Sequence, residues 1–88
     1  MADEQERAEI IMRGHKAKDV LQNDAFVEAY ESILNQLFMS FCSTHSEDIG
    51  EREKNWAIAQ ALKSVKDRLE AFHQTALVEE ANKKADSL

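Results

Sequence analysis

The amino-acid sequence predicts an all-α fold: a helical hairpin or three-helix bundle with a long C-terminal helix, assembled into an oligomer. The 88 residues include no proline and only two glycines, so the turns that a β-sandwich or barrel requires are missing. Apolar residues recur at three- and four-residue spacing in three successive segments, which is typical of helices. A chain of this length forms one domain, and we therefore treat residues 1–88 as a single helical domain.

The first helix is predicted from about residue 3 to residue 22. Its apolar face is narrow and consists of Ile10, Gly14, Ala17 and Leu21. A glycine inside a helix costs about 1 kcal/mol relative to alanine. Gly14 therefore either allows another helix to approach closely or is simply tolerated.

The second helix is predicted over residues 24–43, with Asn23 as its N-cap. Its apolar residues cover more than half of the circumference, so this helix is predicted to be the most buried of the three. These apolar residues are Phe26, Val27, Tyr30, Ile33, Leu34, Leu37, Phe38 and Phe41.

The third helix is predicted over residues 48–78, starting at a capping box of Asp48 and Glu51 and followed by a polar tail, 79–88, that frays. Its apolar seam repeats every 3.5 residues, the period of helices that coil around each other. The seam consists of Ile58, Leu62, Val65, Leu69, Phe72 and Ala76. The simplest arrangement is a hairpin of the second and third helices, with the first packed alongside or projecting. The third helix is then longer than its partner, unless it bends or meets another chain.

The seam and the length of the third helix favour a homo-oligomer. The residues most suited to carry its contacts are Trp56, Leu62, Val65, Leu69 and Phe72. The charge is uneven, because residues 1–53 hold twelve acids and five bases while residues 54–88 hold five acids and six bases. Packing between copies could use this asymmetry.

Several classes of protein are disfavoured by charge and composition. The net charge of −6 is not that of a protein that binds nucleic acid directly. The single cysteine excludes an internal disulfide, and the acidic N-terminus is not a signal peptide. The longest stretch without charge, residues 32–46, is too short and too polar to span a membrane. We therefore expect a soluble protein that works inside a cell and does not bind membranes.

No catalytic, cofactor or metal site is predicted. Cys42 and His45 are three residues apart, a spacing that occurs in metal sites and could join a nucleophile to its base. A structural zinc site needs four ligands, and there is no second cysteine. We therefore interpret Cys42 as a small core residue and His45 as a loop residue, and we expect no enzymatic activity.

Three short motifs, in order, resemble those of short helical proteins encoded by tailed bacteriophages. They are an RG-x-x-A helix at Arg13-Gly14 to Ala17, an N-x-x-F start at Asn23 to Phe26, and an RE-x-x-W start at Arg52-Glu53 to Trp56. The similar region covers roughly residues 13–76. The resemblance implies a phage origin, and with it a location in the host cytoplasm or the virion. It transfers no catalytic or binding residue.

Two functions follow as hypotheses. The first is a non-enzymatic, oligomeric component of virion assembly or structure, with other phage or host proteins as further partners. The alternative is a small acidic inhibitor of a host defence protein or nucleic-acid-binding protein, since acidic helical faces can occupy a basic groove. The charge for this second function would come from Asp3, Glu4, Glu6, Glu9, Glu28, Glu31, Glu47, Asp48, Glu51 and Glu53.

Overall fold

The computed structural model describes residues 3–87, which form three α-helices and no strand. Helix α1 spans Glu4–Gln22, α2 spans Asp24–Ser43 and α3 spans Ile49–Asp86. The predicted all-α class is therefore confirmed, and each helix begins within one residue of its predicted start.

A single residue, Asn23, separates α1 from α2. Its backbone is extended, with φ −71° and ψ 124°, and its side-chain oxygen accepts a hydrogen bond from the Phe26 amide at 3.1 Å. The Asn23 amide donates to the Val20 carbonyl at 3.1 Å. Asn23 thus ends one helix and caps the next, as the sequence predicts.

Helices α1 and α2 lie end to end along α3, and both run antiparallel to it. Near the C-terminal end of α3, Arg7 of α1 contacts Glu79. Near the N-terminal end, Arg52 of α3 lies over the ring of Phe41 of α2. The molecule measures 62 × 26 × 17 Å, and at each level along α3 only one other helix lies beside it.

This arrangement confirms the predicted one only in part: α2 packs against α3 and α1 lies alongside α3, as expected, but α1 and α2 follow each other along α3. The fold is a hairpin whose first arm is broken at Asn23, and it matches a hairpin of α2 and α3 or a three-helix bundle only loosely. Helix α3 has 38 residues, about 57 Å at 1.5 Å per residue. It does not outrun its partner, because α1 covers the half that α2 does not reach.

Helix α3 also continues to Asp86, whereas the sequence predicts an end near residue 78. Contacts with α1 hold this last stretch: Arg7 donates hydrogen bonds to Glu79 at 3.1 Å and Asp86 at 2.9 Å, and His15 pairs with Glu80. The hydrogen bond with Asp86 raises the pKa of Arg7 above its ordinary value, so its charge persists at any physiological pH. The paired residues are far apart in the sequence, so no local sequence pattern predicts that α3 continues to Asp86.

The closest contact between helices is made by small residues. Gly14, Ala17 and Ala76 are buried. A Cβ atom on Gly14 would collide with the Cβ of Ala76 and lie 2.7 Å from the carbonyl oxygen of Phe72. Gly14 therefore allows the close approach of α3, which decides between the two interpretations of this residue.

The prediction that α2 is the most buried helix is wrong. None of its residues is buried, and Cys42, which we expected in the core, is exposed. Within residues 3–87 the only buried apolar side chains are those of Ala17 and Ala76, and no large side chain is fully buried. The reason is geometric: one chain offers α2 a single neighbour, which can cover one side of an apolar surface that extends over more than half the helix.

Replacing Gly14 with alanine is expected to destabilise the fold. Overpacking costs roughly 1–3 kcal/mol, and we expect the upper part of this range because the new Cβ meets both Ala76 and the backbone carbonyl of Phe72. The gain of about 1 kcal/mol in helix propensity then offsets only part of the cost. Gly50→Ala is the matched control, because a Cβ there meets nothing within 4 Å. Urea unfolding followed by circular dichroism at one fixed protein concentration measures both changes. Equal stability of the two variants would contradict the close contact.

Candidate interaction surface

Helix α2 is joined to α3 by one buried polar contact. The side-chain amide of Asn55 donates a hydrogen bond to the hydroxyl of Ser40 at 3.0 Å, and Asn55 is only 9% exposed. No buried side-chain nitrogen or oxygen within residues 3–87 lacks a hydrogen-bond partner. The contact therefore fixes the register of α2 on α3 without leaving an unsatisfied polar group.

Cationic side chains of α3 cover two aromatic rings of α2. The Arg52 guanidinium carbon lies 4.5 Å from the ring centroid of Phe41, and the Lys66 ammonium lies 5.0 Å from that of Tyr30. Arg52 also donates a hydrogen bond to the Thr44 hydroxyl at 2.9 Å. At such positions each cation–π contact contributes about 0.5–1 kcal/mol. The two helices are thus held partly by polar and charged groups rather than by a closed apolar core.

An open apolar groove of about 240 Å³ runs between α2 and α3. We call it the Phe38–Trp56 groove; its lining consists of Leu34, Leu37, Phe38, Phe41, Asn55, Trp56 and Ala59. Phe38 is 66% exposed and Trp56 is 67% exposed. Asn55 is the one polar residue of the lining, and its amide already bonds Ser40. The groove therefore presents aromatic surface and no charged residue.

The five predicted interface residues lie in different surroundings. Trp56 is in the groove, and Val65 is 54% exposed. Leu62 and Leu69 are half-buried. Phe72 is half-buried beside α1, where the Arg13 guanidinium lies 5.2 Å from its ring centroid. Part of the 3.5-residue seam is thus used within the chain.

Two exposed residues of α2 were missed as interface candidates, Phe38 and Met39. Their signal was present in the sequence, because α2 carries apolar residues over more than half its circumference. The predicted apolar stripe places Phe38 in the core of the same chain, and Met39 lies outside that stripe. The structure leaves much of it exposed.

The chain exposes more surface than a compact protein of its mass. Its accessible area is 6927 Å², whereas a globular monomer of 10.0 kDa exposes about 5200 Å². The radius of gyration is 18.5 Å, against about 12 Å for a compact domain of 88 residues. The chain thus exposes about 1700 Å² more surface than a compact monomer. The cause is its elongated shape, since only two helices pack side by side at each level along α3.

The residues weighed for catalysis or metal binding do not form a cluster of ligands. Cys42 is exposed on α2, and the His45 amide donates a hydrogen bond to the Asp48 carboxylate at 2.9 Å. Asp48 is the N-cap residue of α3, as predicted, but its side chain makes no capping hydrogen bond. Across residues 3–87, no three His, Cys, Asp or Glu side chains are grouped so as to hold a metal ion.

The acidic residues are spread along the length of the molecule. Asp3 to Glu9 lie near the C-terminal end of α3, where Arg7 meets Glu79. Glu47 to Glu53 lie at the opposite end, about 40 Å away at 1.5 Å per helical residue. The acids therefore do not form one compact negative face.

Comparisons with known proteins assign no family. No protein-family model, curated protein or solved structure matches this chain. None of the three helices combines the length and apolarity needed to cross a bilayer.

Removing the Ser40 hydroxyl is expected to destabilise the fold, since Ser40→Ala leaves the amide of buried Asn55 without its partner. The expected loss is about 1–3 kcal/mol in the free energy of unfolding. The control is Ser64→Ala, whose exposed hydroxyl bonds only the Gln60 carbonyl of its own helix, and which should cost less than about 0.5 kcal/mol. Urea unfolding of both variants checks this, and equal losses would argue against the register-fixing contact.

Proposed function

We propose that this chain is a non-enzymatic protein that acts through protein–protein interaction, as a self-associating component of a bacteriophage virion or of its assembly. The observation that supports this most is the excess of about 1700 Å² of accessible surface over a compact monomer. Much of the exposed apolar surface belongs to α2 and to the facing half of α3.

A pair of helices cannot enclose an apolar core, because each helix has only one neighbour to pack against. Two such pairs placed face to face make a four-helix bundle, in which the inner face of every helix is covered. If each copy buries its excess, the interface totals about 3400 Å², which lies in the range of permanent dimers. Self-association therefore accounts for the exposed surface with no component other than the chain itself.

The phage assignment rests on the order and spacing of the three sequence motifs. With it we propose the host cytoplasm or the virion as the location, and a second copy as the main partner. Other phage or host proteins are further partners. The net charge of −6 supports a role without direct binding to nucleic acid.

The alternative, an acidic inhibitor of a host protein, receives less support. A mimic of nucleic acid needs its negative charges on one face, whereas here the acids are spread along the molecule, with the outermost groups about 40 Å apart. An inhibitor of this kind also leaves the exposed apolar residues of α2, such as Phe38 and Met39, without a role.

Light scattering behind a sizing column, over a range of concentrations and salt, tests the proposal. We expect a species of about 20 kDa, twice the 10.0 kDa of the chain, and no dissociation at high salt, because apolar burial is not screened by ions. A 10.0 kDa species at every concentration would contradict self-association. A dimer that dissociates as salt rises would point to charge pairing instead.

A further inference from the structure

We infer that the Phe38–Trp56 groove is the surface through which two copies recognise each other, with the same groove of a second copy as its occupant. This inference rests on the proposed self-association and names its surface. In the dimer, α2 and the N-terminal half of α3 from both copies form a four-helix bundle, while the two α1 helices lie outside it.

The two halves of the molecule differ in how completely they are packed. Between α1 and α3, the small residues Gly14, Ala17 and Ala76 allow close contact. Arg7 of α1 also forms ion pairs with Glu79 and Asp86 of α3. Between α2 and α3, Asn55 is the only buried residue. The unpaired apolar surface is therefore concentrated where α2 faces α3, and a second copy is needed at that end rather than at the α1 end.

Within that half, the groove has the character of an interface centre. Trp56 and Phe38 are each about two-thirds exposed, and aromatic residues, tryptophan above all, dominate the binding energy of protein interfaces. The Asn55 side-chain nitrogen already donates to Ser40. The other lining residues apart from Trp56 are Leu34, Leu37, Phe38, Phe41 and Ala59, and an apolar surface can cover these without leaving a polar side-chain atom unsatisfied.

The charge distribution allows the groove of a second copy to cover the groove of the first. The chain carries a net charge of −6, so two copies have the same net charge and repel each other at long range. The groove lining contains no charged residue, and a two-fold axis through it brings uncharged patches together. In such a symmetric contact the same patch serves both copies. Each copy exposes about 1700 Å² more surface than a compact monomer of its mass. Burial of an area of this size on each copy is enough for a stable dimer.

Trp56 provides the readout, because it is the only tryptophan of the chain and lies in the groove. We expect its fluorescence emission to shift to shorter wavelength as protein concentration rises, in step with the mass measured by light scattering. Phe38→Glu is expected to abolish the shift and to raise the dimer dissociation constant at least about 30-fold, the size of effect seen at interface hot spots.

Val78→Glu is the matched control. Val78 is also an exposed apolar residue of α3, but it lies in the half of α3 that packs along α1 and does not line the groove. We expect this variant to keep both the dimer and the fluorescence shift. Both substituted positions are exposed, so circular dichroism should show unchanged helix content in each variant.

The outcomes separate the inference from the proposed function. If Val78→Glu dissociates the oligomer and Phe38→Glu does not, self-association stands and the groove is the wrong surface. If the unaltered chain stays monomeric at every concentration and its Trp56 emission never shifts, both are overturned, and the groove is left to a different partner. A dimer lost only in Phe38→Glu, together with the Trp56 shift, supports the inference.

Discussion

Gly14 lies directly against Ala76 and the carbonyl of Phe72, and this contact sets the position of α1 along α3. With α1 held there, Arg7 reaches Glu79 and the C-terminal half of α3 has its neighbour. Helix α2 must then lie along the other half of α3, since only Asn23 separates it from α1. The long, two-helix shape of the molecule follows from this arrangement.

The same arrangement explains why the largest apolar residues are the least covered. In the α1–α3 half, small side chains let the helices approach closely, and the distance between packed helices depends on the side chains at their contact. In the α2–α3 half, bulky residues such as Phe38 and Trp56 extend past the single neighbour into solvent. An apolar surface of this extent is typical of a protein that binds another protein, and the missing core is one that a second copy can complete.

Local signals in the sequence were sufficient to locate where the helices begin. Asn23 marks the break because its side chain caps α2. Gly14 was compatible with a close approach or with a tolerated glycine, and the contact with Ala76 decides between them. The end of α3 was not predictable, because it depends on Arg7, far away in the chain. Periodicity identified α2 as apolar but could not tell which chain covers it. For that reason Trp56 was predicted to be an interface residue, whereas Phe38 was expected in the core of the chain.

The central claim is that α2 is covered by a second copy while α1 is covered by its own chain. Amide hydrogen exchange at two protein concentrations, one below and one above the onset of association, tests this directly. We expect the amides of α2 and of the facing half of α3 to exchange more slowly at the higher concentration. The amides around Gly14 and Ala76 should exchange at the same rate at both concentrations. Protection of α2 that does not change with concentration would contradict the claim.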